Sequence, residues 1–249
     1  MKEKHTPEIQ RKMSSNAHLA RSKSLDWYPM DVRERYLSLP KEHRDRWDNV
    51  KISYDINSYG FRSKEVTCEE RESITILGCS HTFGIGMPEE HIWPSVLSKK
   101  MNLPYHNLAA AGGSLDGCFR VYNEWAPIIK SKITCLLIPP GIRFECYETN
   151  MHKFKNMGPW IIERADYPHE ANVLLADSFF KEELNHVNKE RNLAAIQYIA
   201  DCNDSKLFLV DASYLIPFYN TRARDGSHAS YEGHAAVAEE FYKKITEEA

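Results

Sequence analysis

Short apolar runs alternate with longer periodic segments from residue 52 to the end of the sequence. The short runs are rich in β-branched residues, and the clearest of them stop at Gly78 and at Pro139, which is typical of buried strands. They predict strands at residues 73–77, 105–108, 133–138 and 206–211. The periodic segments predict helices at residues 92–101, 115–130, 180–198 and 231–245.

Strands that alternate with helices indicate an α/β domain with a parallel sheet and helices on both of its faces. The long helix should bury the face on which apolar residues recur at spacings of three and four. These residues are Phe180, Leu184, Val187, Ala195 and Tyr198. Residues 141–177 form an irregular segment with Pro and aromatic residues, and we expect it to shape a substrate cleft.

The first 48 residues differ from the rest because charges of both signs dominate and apolar anchors are sparse. The anchors are Trp27, Tyr28, Leu37 and Trp47. We therefore divide the chain into a charged N-terminal arm, residues 1–48, and a domain, residues 49–249. The aromatic anchors should pack on the domain or on another subunit. Residues 1–25 should be dispensable for folding, because exposed charged termini usually are.

The overall charge and hydropathy exclude two kinds of partner. The net charge is −3 and the pI about 6.4, so no general basic field attracts nucleic acid. The longest apolar run is far too short to cross a membrane. The first residues lack the apolar segment of a secretory signal, and six cysteines are scattered without a Cys-x-x-Cys pair. We therefore expect a cytoplasmic protein with reduced thiols.

The first chemical motif is Gly78-Cys79-Ser80, which follows a predicted strand. A strand that ends in this way delivers Ser80 to the carboxyl edge of the sheet, beside the free backbone N–H groups of the next helix. That position suits a nucleophile whose reaction forms an oxyanion. Taken alone, the motif is equally consistent with a serine that caps the helix.

The second motif is Asp225-Gly226-Ser227-His228, on a short loop before the last helix. An aspartate three residues before a histidine can hold the imidazole in one tautomer. The other ring nitrogen is then free to accept a proton from a hydroxyl. The alternative interpretation is an Asx turn that carries a surface histidine.

The third motif is a run of small residues from Asn107 to Ser114, which includes Gly112. Small residues allow the backbone to approach a ligand closely, and Gly112 can present an unobstructed N–H. Taken alone, the run is better explained as a tight turn between a strand and a helix.

The order of these motifs resembles that of the SGNH or GDSL-like hydrolase superfamily over about residues 52–249. The matching residues are Gly78-Cys79-Ser80 for the first block, Asn107 and Gly112 for the second, and Asp225 and His228 for the last. Residues 56–62, Ile-Asn-Ser-Tyr-Gly-Phe-Arg, are similar to a lead-in found in many members. The resemblance implies a flavodoxin-like three-layer sandwich with a parallel sheet, extended here by the N-terminal arm.

The resemblance also implies a function, that of a serine esterase or acyltransferase. Ser80 would be the nucleophile, His228 the base and Asp225 the carboxylate that orients it. The backbone N–H groups of Ser80 and Gly112 would form the oxyanion hole. The reaction would hydrolyse or transfer an ester-linked acyl group, such as acetyl on a small molecule or carbohydrate, without metal or cofactor. The alternative is a non-catalytic module of this fold that binds or supports a larger assembly, in contact through the arm.

Two positions depart from the family pattern. Cys79 replaces the Asp of the first block, and we interpret it as a small structural residue because strand alternation turns it away from Ser80. The third block lacks its Asn, since residues 139–143 read Pro-Pro-Gly-Ile-Arg. Arg143 is the nearest polar candidate for a third oxyanion donor or a substrate clamp, although it is equally suited to an ion pair with Glu145.

The remaining histidines near these motifs carry no prediction of chemistry. His81 and His91 flank the first motif at a spacing that fits no metal site. His234 lies on the last predicted helix, where we expect it to pack or cap the helix. We therefore predict no metal site.

Overall fold

The structure, a computed structural model, describes residues 7–161 and 181–248. The strands are β1 (Lys23–Leu25), β2 (Tyr54–Ile56), β3 (Ile74–Leu77), β4 (Tyr105–Asn107), β5 (Ile133–Ile138), β6 (Phe144–Glu148), β7 (Lys153–Met157) and β8 (Lys206–Asp211). The α-helices are α1 (Pro7–Lys12), α2 (Arg33–Leu37), α3 (Lys41–Arg44), α4 (Ser80–Phe83), α5 (Trp93–Met101), α6 (Leu115–Ile129), α7 (Glu182–Cys202) and α8 (Tyr231–Glu247).

A four-stranded sheet lies at the centre, in the order β4-β3-β5-β8. Every pair in it is parallel, and Ile74 lies opposite both Tyr105 and Ile133. The residues of β3 are all buried, as expected for a strand covered on both faces. Parallel pairing brings the loops that follow these strands to one edge of the sheet, where the predicted site residues lie.

Helices cover both faces of the sheet. On one face α6 and α7 pack over Leu77 and Leu136. On the other face α5 and α8 pack over Ile76 and Leu137. Neighbouring residues on a strand point to opposite faces, so each strand contributes to both cores. The arrangement confirms the predicted α/β fold, a parallel sheet between two layers of helices.

The segment predicted to be irregular contains regular structure. Strands β6 and β7 form an antiparallel hairpin, in which Phe144 lies opposite Met157. Apolar and charged residues alternate only over Phe144, Glu145 and Cys146, so the sequence gives a weak signal for this strand. The tight connection uses His152 in the left-handed conformation, with φ of 49°. The predicted cleft-forming role stays a prediction, and its residues 162–177 lie outside the described residues.

The predicted long helix forms, but its buried face differs from the predicted one. Val187 is 57% exposed and Tyr198 is 70% exposed. The buried residues of the helix are instead polar as well as apolar, namely Asn185, Asn192, Ile196, Ile199 and Ala200. A hydrogen bond from Asn192 to the Asp116 carboxylate makes burial of that amide favourable, because the polar group keeps a partner. Phe180 lies outside the described residues.

No helix in the described ranges has both the length and the apolar composition to span a bilayer.

The N-terminal arm packs on the domain along most of its described length. Strand β1 pairs with β2 across the proposed boundary at residue 48. Tyr28 is 1% exposed and its ring contacts that of Phe83 at a centroid distance of 4.8 Å. Trp47 is buried, stacks on Tyr231 and donates from Nε1 to the carbonyl of Arg222. The aromatic anchors therefore join the arm to the domain, while the division of the chain at residue 48 stays a prediction.

The start of the arm is also anchored, which contradicts the premise that residues 1–25 are exposed. Met13, Ala17 and Ala20 are all buried. Trp125 donates from Nε1 to the carbonyl of residue 12 at 2.8 Å, and Arg120 donates to the carbonyls of residues 11 and 13. Two side chains of α6 thus depend on carbonyl groups that a deletion would remove.

Candidate active site

The three sequence motifs meet at the carboxyl edge of the sheet. Gly113 packs so closely on the first motif that a Cβ atom there would lie 3.0 Å from the Gly78 carbonyl oxygen. Gly86, in the loop after α4, makes an equally close approach to the second motif, since a Cβ atom there would lie 3.0 Å from the Asp225 nitrogen. Glycine at both positions therefore allows three chain segments to converge.

Ser80 is the first residue of α4 and is 3% exposed. Gly78 turns the chain from β3 into this helix with φ of 154°, and any side chain there would collide with Thr82. The Ser80 hydroxyl makes no hydrogen bond to a described residue and caps no helix. The alternative of a helix-capping serine therefore fails for the described structure. The Ser80 hydroxyl is therefore nearly buried and has no hydrogen-bond partner within residues 7–161 and 181–248.

Asp225 and His228 form a buried hydrogen-bonded pair. His228 Nδ1 lies 2.7 Å from Asp225 Oδ2 and donates to it, and Asp225 Oδ1 accepts the backbone N–H groups of Ser227 and His228. Burial acts to raise the pKa of the Asp225 carboxyl, but the hydrogen bonds from His228 and Ser227 outweigh it, so the pKa lies below its ordinary value. A charged carboxylate with three donors fixes both the ring orientation and the tautomer of His228. The motif is thus an Asx turn and a histidine-orienting pair at once.

His81 brings the first and second motifs into contact, a role that the sequence did not predict. Its ring meets that of His228 edge-on at a centroid distance of 4.8 Å. Because His81 directly follows Ser80, this contact puts the Ser80 helix beside the His228 ring. The structure shows no hydrogen bond between Ser80 and His228 themselves.

Tyr219 completes the surroundings of His81. Its hydroxyl lies 2.8 Å from His81 Nε2, within hydrogen-bond distance. Burial, and then the neighbouring His228, hold the pKa of His81 well below its ordinary value, so His81 stays neutral at physiological pH. A neutral neighbour does not oppose the charge that His228 would carry as a base.

The third motif contributes Gly112, whose φ of 70° requires glycine. The Trp160 ring lies beside it, 3.7 Å from where a Cβ atom would stand. Asn107 is completely buried and donates from Nδ2 to the Thr82 carbonyl at 3.0 Å. Asn107 therefore braces the Ser80 helix against the loop that contains Gly112.

Arg143 lies beside the same loop. Its Nη1 reaches the Gly113 carbonyl at 3.4 Å, and its guanidinium lies 5.4 Å from the Trp160 ring centroid. The predicted alternative, an ion pair with Glu145, does not form because Arg120 binds both oxygens of that carboxylate, at 2.6 and 2.8 Å. Among the residues that the structure describes, Arg143 has no carboxylate partner.

Arg62, noted in the sequence only as part of the lead-in, braces the loop after α4. Its guanidinium is completely buried and donates to the carbonyls of Ser53, Gly84 and Met87, at 2.7, 2.7 and 3.0 Å. The Tyr54 ring lies 4.6 Å from the same guanidinium. A cation that collects several carbonyl oxygens compensates the loss of its hydration and fixes the loop in one conformation.

Two further features of the sequence concern the cysteines and the possible metal ligands. Cys79 is completely buried, and all six cysteines are free thiols. Within residues 7–161 and 181–248 no group of three or more His, Cys, Asp or Glu is arranged to hold a metal ion.

His234 packs inside the domain, as expected. Its burial predicts that the stability of the protein depends on pH. Its Nδ1 accepts the backbone N–H of Trp93 at 3.0 Å, and burial lowers its pKa from 6.5 to about 3. In the unfolded chain this histidine binds a proton below pH 6.5, whereas in the folded chain it stays unprotonated down to about pH 3. The free energy of unfolding therefore falls as the pH drops from 6.5 to about 3.

We expect the variant His234→Asn, whose amide oxygen can accept the same N–H, to weaken this dependence. The slope of unfolding free energy against pH should decrease by about 1.4 kcal/mol per pH unit between those limits. Urea denaturation at a series of pH values measures it. The exposed His186 serves as control, and an unchanged slope in His234→Asn would contradict the assignment.

No family model matches the sequence, and no curated protein matches it significantly. Solved structures show distant similarity. A carbohydrate esterase is 9% identical, with a TM-score of 0.44 over 74% of this chain and 67% of that one. An acetylxylan esterase from Geobacillus stearothermophilus is 13% identical, with a TM-score of 0.34 over 71% and 95% of the two chains. A protein assigned to the G-D-S-L lipolytic family, from Desulfitobacterium hafniense, is 16% identical, with a TM-score of 0.34 over 69% and 98%.

These solved structures are of the kind that the sequence motifs resemble, esterases and GDSL-like lipolytic proteins. Their identity to this chain is low, and we therefore derive its function from the side chains of the site.

Proposed function

We propose that the protein is a metal-independent serine hydrolase that cleaves, or transfers, an ester-linked acyl group through an acyl-Ser80 intermediate. The observation that supports this most is the buried Asp225–His228 pair, whose ring lies beside the helix that begins at Ser80. Nucleophilic acyl transfer requires a hydroxyl that is free to react and an imidazole held in one tautomer. In the part of the chain that the structure describes, the Ser80 hydroxyl has no hydrogen-bond partner, and Asp225 holds the His228 ring.

In the proposed reaction His228 Nε2 takes the proton of Ser80 as the hydroxyl oxygen attacks the ester carbonyl. Backbone N–H groups of Ser80 and Gly112 stabilise the oxyanion. The tetrahedral intermediate expels the alcohol, which receives the proton from His228. Water or an acceptor hydroxyl then attacks the acyl-enzyme and gives its proton to His228. The bond from the acyl carbon to the Ser80 oxygen breaks, His228 returns the proton to Ser80, and the acyl group leaves as a carboxylic acid or a new ester. Asp225 stabilises the imidazolium throughout.

We further propose an acetylated carbohydrate as substrate. Trp160 is 39% exposed beside Gly112, and an exposed aromatic ring offers a flat apolar face on which a sugar ring can stack. Arg143, adjacent to the same ring, supplies the donors that the family's missing Asn would otherwise provide, as oxyanion donor or as substrate clamp.

A second candidate function is a non-catalytic module of the same fold. The missing Ser80–His228 hydrogen bond and the missing Asn favour it. In that case the site would bind an acylated ligand without hydrolysing it, and the arm would contact the other components of a larger assembly.

A fluorophosphonate probe separates the two functions. Covalent labelling of the wild type at Ser80, absent from Ser80→Ala, supports an activated nucleophile. Folded protein without labelling supports the non-catalytic module. Ester turnover that survives prolonged treatment with EDTA agrees with the serine mechanism, whereas loss with EDTA and recovery with zinc contradicts it.

Arg143→Ala tests the assignment of the third oxyanion donor. Loss of one such donor costs about 2.7–4 kcal/mol in the barrier, so we expect kcat to fall by roughly 10²–10³ with little change in KM. Arg143→Lys, which keeps the charge but not the planar fork, should recover only part of the loss. Arg71→Ala, whose guanidinium pairs with Asp204, is the matched control. If KM rises while kcat holds, Arg143 binds substrate instead.

A further inference from the structure

The N-terminal arm holds a completely buried carboxylate, Asp31, against the loop of the Asp225–His228 pair. Arg224, which immediately precedes Asp225, donates to Asp31 Oδ2 from Nη2 at 2.6 Å and from Nε at 3.0 Å. The Arg224 side chain is itself buried. Two opposite charges that are 193 positions apart in the sequence therefore meet without solvent, one residue away from the site.

Tyr54 extends this contact to the loop that follows the Ser80 helix. Its hydroxyl donates to Asp31 Oδ2 at 2.6 Å and accepts the backbone N–H of Gly86 at 2.8 Å. The Gly86 carbonyl in turn accepts the N–H of Arg224 at 3.0 Å. The hydrogen bonds thus close into a ring, which we call the arm–loop ring: Asp31, Tyr54, Gly86 and Arg224.

Other parts of the arm cover the same loop. The Trp27 ring lies 3.9 Å from the Arg224 guanidinium. Leu39 packs on Gly226, where a Cβ atom would lie 2.8 Å from a Leu39 methyl carbon. The arm therefore covers the outer side of the loop that precedes α8.

A buried ion pair stabilises a fold weakly, because the desolvation of both charges offsets most of their attraction. Its best-supported use is to select one arrangement among several. Here the arm–loop ring joins the loop that follows the Ser80 helix to the loop that carries His228. Reactive groups must be held to within about 0.5 Å of their productive geometry. The location of the arm–loop ring matches that requirement.

We propose that Asp31, Tyr54 and Arg224 are positioning residues and that the N-terminal arm sets the placement of His228 relative to Ser80. The inference rests on the proposed function, since it concerns the alignment of the same two groups. It assigns the charged arm to the active site of its own chain rather than to a partner.

Two variants test the inference at different severity. Asp31→Asn keeps the shape but removes the charge, and Tyr54→Phe removes only the hydroxyl of the arm–loop ring. Trp125→Phe is the matched control, because it also removes a hydrogen bond between the arm and the domain, at the far contact with residue 12. Each variant is measured for kcat, KM, melting temperature and the far-downfield proton resonance of His228 Nδ1–H, well below its melting temperature.

We expect Asp31→Asn to lower kcat at least tenfold with KM within about twofold, and to shift or broaden the His228 resonance. Tyr54→Phe should lower kcat and shift the His228 resonance in the same direction as Asp31→Asn, but by less. Trp125→Phe should lower only the melting temperature. The inference is overturned if both arm–loop variants melt early but keep kcat and the resonance. If the wild type turns over no ester, the proposed function fails, and the resonance alone then decides the inference.

Discussion

Alanine at Ser80 or at His228 is expected to abolish ester turnover while the protein stays folded. In the proposed mechanism the two groups act together, so the loss of either one alone should lower kcat by about 10⁴-fold or more. The fold should survive because, among the described residues, the Ser80 hydroxyl has no hydrogen-bond partner and His228 forms its hydrogen bonds within its own loop. Ester hydrolysis and thermal melting of the same samples measure both effects.

Cys79→Ala is the matched control for this pair of variants. Cys79 adjoins Ser80 and is completely buried, so its loss tests whether a thiol carries the reaction instead. Activity that survives in Ser80→Ala but disappears in Cys79→Ala would contradict the serine mechanism. Equal residual activity in all three variants would indicate that turnover occurs elsewhere in the protein or without it.

Deletion of residues 1–25 is expected to destabilise the protein severely. It uncovers the apolar surface beneath Met13, Ala17 and Ala20 and removes the carbonyl partners of Arg120 and Trp125. Burial of Met13 contributes about 2 kcal/mol, and each lost hydrogen bond about 1 kcal/mol, so the total approaches about 5 kcal/mol. Such a loss is comparable to the whole stability of many domains.

The deletion is measured by urea denaturation against the full chain, and a deletion of residues 1–6, which stops before α1, is the matched control. A longer truncation that melts cooperatively at the wild-type denaturant midpoint would restore the earlier expectation that the first 25 residues are dispensable. Partial destabilisation can be assigned to its source with Trp125→Phe, which removes one of the hydrogen bonds without shortening the chain.

The strands of the central sheet could be predicted because burial on both faces leaves a local mark. Residues 133–138 and 206–211 were predicted with the bounds that β5 and β8 have. Continuous apolar runs that stop at Gly or Pro require no knowledge of the partner strand. The hairpin of β6 and β7 was missed because its alternation is weak and lies within a segment rich in turn residues.

The buried face of α7 could not be predicted because it depends on the helix that covers it. Asn192 is buried by virtue of its hydrogen bond to Asp116, which is 76 positions away in the sequence. Periodicity of apolar residues assigns such an amide to the solvent face. Tyr198 shows the opposite error, because it lies on the predicted apolar face and yet is 70% exposed.

In the candidate site, too, contacts between residues close in sequence could be predicted, whereas contacts between distant residues could not. The Asp225–His228 hydrogen bond could be predicted from the spacing, because two residues that are three positions apart in one tight turn lie close together. The contact of His81 with His228 and that of Asp31 with Arg224 join residues that are distant in sequence, and single residues of these types are common on surfaces. Only the folded chain identifies them.

The contact between the arm and the Asp225–His228 loop also constrains the order in which the protein can assemble. Residues 26–47 leave the ribosome long before residues 222–231, yet each segment covers the other. Until the later segment is made, the Trp47 ring lacks its stacking partner and the Asp31 carboxylate lacks its cation. Contacts of such long sequence separation form late and slowly. A nascent chain stalled before residue 222 should therefore expose these groups to chaperones and proteases, and the candidate site should be among the last parts of the molecule to form.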